Sequence, residues 1–171
     1  MFKLLQTFID IAIWRKGPQD LPSSRFLAVL VLCVYVIASF AQIVFLDLRM
    51  RSAVVVIAVD VLMMMTWLWA VLAFFGYRQR FLQTFSAMLG VGVLLAVVDI
   101  GVRALQLLLD GPSHGLPTAW LALRFFLIAL VMGRILMQAL DRGLLTGMAL
   151  TVAIVYSTGA VAQAMVTRLH G

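Results

Sequence analysis

Five charged residues interrupt the apolar runs of this 171-residue chain: Asp60, Asp99, Arg103, Arg124 and Arg134. Two aspartates on adjacent apolar segments are the minimum for an aspartyl dyad, in which one carboxyl keeps its proton while the other is ionised. Arg103 and Arg124 oppose that chemistry, because neighbouring cations favour ionising both acids. Asp99 also lacks the Gly-x-Gly that precedes the aspartate of intramembrane aspartyl proteases; Ala96-Val97-Val98 stands there instead. The reading is therefore of no catalytic residues, and of an intramembrane charge cluster formed by Asp60, Asp99, Arg103 and Arg124.

The cluster has an energetic reason. Each such charge costs on the order of 2.5–3.5 kcal/mol on insertion scales, so each needs a partner or a route to water. Alternate spans reverse direction, which puts these four residues in one leaflet, two acidic and two basic. Asp99 and Arg103 are four residues apart, the spacing of an ion pair along one helix face. Gly92 and Ala96 precede Asp99 on that face and allow a neighbouring helix to approach closely. Arg134 shares a face with Gln138 and Asp141 near the opposite surface, where it is expected to snorkel outside the cluster.

Other chemistries fail for want of residues. The two histidines are His114, in a loop, and His170, at the tail, so no axial haem ligand lies in an apolar run. The same lack removes the base that an intramembrane serine protease requires. One cysteine and two distant histidines make no zinc site, and no phosphate-binding glycine loop is present. No metal and no cofactor is expected. Cys33, inside an apolar run, reads as a small packing side chain. Met63-Met64-Met65 with Trp67 and Trp69 reads as an adaptable packing patch, since adjacent residues point in different directions on a helix.

These residues are carried by a chain that is 64% hydrophobic and 12% charged, against roughly 45–50% and 25% in an ordinary soluble domain. Several apolar runs exceed the ~18 residues that mark a membrane span. The fold class is all-α, a polytopic bundle of five transmembrane helices behind an N-terminal amphipathic interfacial helix. Residues 1–16 form that helix, with Lys3, Gln6, Thr7 and Asp10 as its narrow polar stripe. A linker at 17–25 follows, with Gly17-Pro18 stopping the first helix and a serine capping the next. The transmembrane domain is 26–166, with spans at 26–46, 53–75, 81–103, 118–140 and 144–166; helix continues from the third to residue 109. Residues 110–117 are a loop dense in breakers, Trp120 stands at headgroup level, and 167–171 is a short tail. Gly143-x-x-x-Gly147 and Ala160-x-x-x-Ala164 are small-residue spacings for helix packing.

Net charge is +6, with all seven acids aspartate and arginine outnumbering lysine eleven to two. That charge sits in short turns, where it orients spans and meets anionic headgroups; there is no basic stripe for nucleic acid. Lys3, Arg15, Lys16, Arg25, Arg78, Arg80 and Arg142 share one side of the membrane, and Arg49, Arg51 and Arg168 the other. The bias predicts a cytoplasmic N-terminus and an outside C-terminus. The arginine bias associates the chain with a bacterial inner membrane.

The stretch from Gly76-Tyr77-Arg78-Gln79-Arg80 through Phe81-Leu82-Gln83-Thr84-Phe85 to Gly90, together with the five-span layout, resembles bacterial members of the Yip family of membrane proteins. The Asp-Leu-Tyr-Gly-Pro pattern of eukaryotic members is absent; residues 16–22 only echo it. The resemblance implies five spans with a cytoplasmic N-terminus and no catalytic residues. The function expected is a non-enzymatic scaffold, assembly or trafficking-type factor that packs against membrane proteins or lipids. The alternative is a small transporter or ion- or proton-conducting subunit built on the Asp/Arg cluster.

Overall fold

The computed structural model describes residues 2–45, 50–109 and 118–170. Helices α1 (Phe2–Ala12), α2 (Arg25–Phe45), α3 (Met50–Phe74), α4 (Phe81–Leu109), α5 (Thr118–Leu140) and α6 (Leu144–His170) account for nearly all of them. Five helices, α2 to α6, are long and apolar enough to cross a membrane. With backbone polar groups satisfied inside each helix, such segments can lie in hydrocarbon without a partner strand. The chain is an integral membrane helix bundle.

The packing order closes a ring. Helix α2 lies on α4, α4 on α5, α5 on α6, α6 on α3, and α3 on α2. One end of the ring is solid: Leu68, Leu72, Leu89, Ile135, Leu136 and Leu140 are all buried there, with Phe85 and Met88 between them. The outward faces carry Phe26, Ile37, Leu62, Phe74, Leu108 and Tyr156, all exposed and suited to acyl chains. Cys33 is among the exposed residues, on the lipid-facing side rather than in the packed interior.

Local sequence explains where the helices stop. Ser24 caps α2, accepting from Leu27 N–H at 3.4 Å while its carbonyl takes Ala28 N–H. Gly76, at φ 83°, ends α3 in a Schellman turn: Tyr77 N–H returns to Leu72 O at 2.7 Å. Asp141, at φ 50°, does the same for α5, with Arg142 N–H on Met137 O. Arg80 completes that end, its Nη1 donating to Gln138 O, Ala139 O and Asp141 Oδ2 at 3.0–3.2 Å. A cation at a helix C-terminus meets both its orphan carbonyls and its dipole.

The first helix departs from the sequence expectation in length and in contacts. It ends at Ala12 rather than residue 16. Trp14 takes the left-handed φ of 70°, and the Arg15 and Lys16 N–H groups both fold back onto Asp10 O. Lys16 Nζ then pairs with Asp10 at 2.9 Å. Phe8 and Ile11 are buried against the bundle, so part of the apolar surface of α1 faces protein rather than lipid. Gly90 of α4 provides the seat: a Cβ there would stand 2.3 Å from the Phe8 ring.

Gly90→Leu should therefore expel Phe8 and loosen α1, while Gly101→Ala, where a Cβ meets nothing, should not. Nitroxide accessibility at Ala12→Cys in a Cys33→Ala background reads this directly. A rise in oxygen accessibility is expected for Gly90→Leu alone; the same value in both variants would mean that Phe8 is not docked.

Two other boundaries move. The linker 17–25 is partly structured, with a 3-10 turn over Pro18–Asp20 closed by Gly17 N–H on Asp20 Oδ2 at 2.8 Å. Helix α6 continues to His170, because nothing in 167–170 breaks it, and the expected tail is its last turn. The breaker-rich loop at 110–117, His114 and the turn residues 46–49 lie outside the described residues.

Candidate functional site: a cavity with charged groups inside the helix ring

Opposite the solid end, the ring does not fill its centre. A cavity of about 400 Å³ lies among α2 to α6. Its apolar wall includes Ile57, Met64, Met88, Ile128, Met132 and Ile154, and its polar lining comes from four helices. Helix α2 gives Tyr35, Ser39 and Gln42; α3 gives Asp60; α5 gives Arg124; α6 gives Thr151 and Thr158. Gly159 also lines it and is exposed, so the cavity reaches the surface beside α6.

Two polar levels are set by helix periodicity. Tyr35, Ser39 and Gln42 stand at i, i+4 and i+7 and share one face of α2. At the lower level the Tyr35 hydroxyl donates to Asp60 Oδ2 at 2.5 Å. Gly92 makes room for this phenol: a Cβ at that position would come 2.6 Å from the Tyr35 ring. Asp60 is ten residues from the start of α3, so about 15 Å of rise separates it from that helix end. It sits deep in the span.

The upper level is centred on Asp99, which is 2% exposed. Arg124 Nε approaches its Oδ2 at 2.7 Å, Gln42 Nε2 donates to Oδ2 at 2.6 Å, and Trp120 Nε1 donates to Oδ1 at 2.8 Å. Helices α2, α4 and α5 are thereby tied through one carboxylate. Ala96, a turn earlier and 4% exposed, keeps the α4 surface low where they meet.

The structure brings Asp60, Asp99 and Arg124 to one region and turns Arg103 elsewhere. The four-residue spacing on α4 led to an Asp99–Arg103 pair, but Asp99 is paired with Arg124, and Arg103 Nη1 donates to Gln106 at 3.2 Å. The reason is competition. Asp99 already faces the α2 and α5 side, where two hydrogen-bond donors and the Arg124 guanidinium converge on it. Trp120 is likewise a hydrogen-bond donor to Asp99 rather than only a headgroup anchor. Arg134 stays out of the cluster, bonding Trp14 O at 3.2 Å with its guanidinium 4.6 Å from the Trp14 ring.

Of the three glycines expected in packing, Gly92 and Gly147 meet a neighbouring helix closely and Gly143 does not. Gly147 meets Gly133 of α5 so closely that a Cβ would lie 2.0 Å from Gly133 O. A Cβ on Gly143 would meet nothing within 4 Å; this residue instead starts α6, its carbonyl accepting Gly147 N–H at 3.2 Å. Ala160 and Ala164 are exposed. From the methionine run, Met64 lines the cavity while Met65 and Trp69 face outward.

Sequence reasoning missed Tyr35, Ser39, Gln42, Thr151, Thr158 and Gly133. The signal was present for most of them. Polar residues at i, i+4 and i+7 in α2, and at i and i+7 in α6, are stripes within otherwise apolar spans.

Among the described residues no three His, Cys, Asp or Glu side chains gather to hold a metal ion. No family model, curated protein or solved structure matches the chain.

Proposed function

We propose that this membrane protein acts by binding, without catalysis, and that its cavity takes up a small amphiphilic molecule from the bilayer. The observation that carries the reading is the cavity itself: about 400 Å³, mostly apolar in its lining, with polar groups contributed by four helices. Ligand pockets occupy roughly 300–1,000 Å³ and combine an apolar wall with a few placed polar groups. The cavity's surface opening beside Gly159 gives a lipid-soluble guest lateral access. A catalytic reading has less support, since each of the two aspartates is already held by protein donors.

Native mass spectrometry of protein released from nanodiscs tests this. A 1:1 adduct should survive with the wild-type chain and be lost in Val155→Trp, which fills the cavity from α6. No adduct, or equal adducts in both, would count against the reading. Scaffolding through the exposed Ala160 and Ala164 of α6 is the second reading, and a stable dimer lost in Ala160→Leu would favour it.

The chain is proposed to lie in a bacterial inner membrane with a cytoplasmic N-terminus, on the strength of its basic residues at the α1 end. The five-span layout supports grouping it with Yip-like proteins. In a Cys33→Ala background, Thr167→Cys should react with an impermeant maleimide from outside intact cells and Ser23→Cys should not. Labelling of both from one side would overturn the topology.

A further inference from the structure

The charges lining the cavity do not balance. Asp60 and Arg124 are the two charged groups in its wall among the described residues. Arg124 is shared: its Nε lies 2.7 Å from the buried Asp99 carboxylate, and it acts on Asp60 only at longer range, so one guanidinium serves two acids. Asp60 has no ion pair among the described residues and one hydrogen bond, from Tyr35 to Oδ2. Among the described residues, no donor stands on its Oδ1. A carboxylate this deep in a span takes up a proton or finds a cation.

From this we infer that the guest carries a cationic head, an ammonium or substituted ammonium, seated on Asp60. The inference rests on the proposed binding function and adds the chemical class of the ligand. The head would sit between Asp60 and the Tyr35–Ser39 face of α2, where hydroxyl oxygens can also accept from an N–H donor. The apolar remainder would lie along Met64, Met88 and Ile128, which line the same cavity. An anionic head is disfavoured beside Asp60, because like charges repel in so weakly screened a setting.

The test compares three six-carbon probes on purified protein in dodecylmaltoside: hexylamine, hexanol and hexanoate. At neutral pH the amine is a cation, as a lysine side chain is. Binding is read from the rise in melting midpoint with concentration, for wild type, Asp60→Asn and Asp60→Glu. Hexylamine should bind at least about tenfold tighter than hexanol, a gap of about 1.4 kcal/mol, and hexanoate weakest. Asp60→Asn should bring hexylamine to the level of hexanol, and Asp60→Glu should restore part of the gap. Equal binding of amine and alcohol overturns the cationic class while leaving the cavity reading intact. Tightest binding of hexanoate overturns it in favour of Arg124. An amine preference that survives Asp60→Asn overturns the seat. No binding of any probe overturns the cavity reading itself. The wild-type ranking decides the ligand class even where Asp60→Asn does not fold.

Discussion

Asp99→Asn should lower the stability of the folded bundle by about 3 kcal/mol, the low end of what breaking a buried ion pair costs. The low end applies because the Arg124 side chain is 32% exposed whereas that of Asp99 is 1% exposed. Asparagine keeps one acceptor oxygen, enough for Gln42 or Trp120 in place but not for both, and leaves Arg124 without its carboxylate. Arg124→Gln does the converse and strands Asp99 among two neutral donors. The double change removes both charges, so its loss should be smaller than the sum of the singles by about 1–3 kcal/mol. Unfolding in mixed micelles with increasing dodecyl sulfate gives the three values. Additive losses would show that the α4–α5 pair contributes nothing of its own. The matching cycle between Asp99 and Arg103 should return the smaller coupling, since Arg103 reaches to Gln106.

Gly147→Ala should be the most damaging single-methyl change in the chain. The added Cβ would fall 2.0 Å from the Gly133 carbonyl oxygen, and both partners are backbone. No rotamer relieves that contact. Helices α5 and α6 must part, with a loss beyond the ~1–3 kcal/mol typical of overpacking. Gly143→Ala, four residues earlier, has open space around it and should change stability by no more than about 1 kcal/mol. Melting midpoints of the two variants beside wild type give the comparison. Equal effects would mean that the crossing lies elsewhere.

The sequence makes the five spans, the loop positions and the depth of the charges legible, because each depends on composition over twenty residues or on breakers at known places. The serine cap at Ser24 and the glycine stop at Gly76 are local and equally readable. Pairing is different in kind. Asp99 and Arg103 satisfy the spacing rule for a helix pair, yet the choice of Arg124 depends on how α4 is rotated toward α2 and α5. That rotation is seen where Gly92 of α4 yields to Tyr35 of α2, a contact between residues far apart in sequence. The stripe Tyr35, Ser39, Gln42 was visible but easily passed over, since each residue alone is common in membrane spans. The stop after Ala12 had no such signal. Trp14 in a left-handed conformation is uncommon for a bulky residue, and its contacts to Arg134 are tertiary.

The central claim is that the helix ring holds an accessible, mostly apolar cavity with polar groups in its wall, and one labelling experiment addresses it most directly. Ser39→Cys in a Cys33→Ala background places a thiol on the cavity wall, whereas native Cys33 faces the lipid side of the same helix. A thiolate, the reactive species, forms in a polar setting and is suppressed in hydrocarbon. With methanethiosulfonate ethylammonium in nanodiscs, the cavity thiol should react at least about tenfold faster than Cys33 and be slowed in Val155→Trp, by analogy with the spread of thiol reactivity with environment. Equal, slow reaction at both positions would contradict the account, because the ring would then be a solid bundle with nothing to bind inside it.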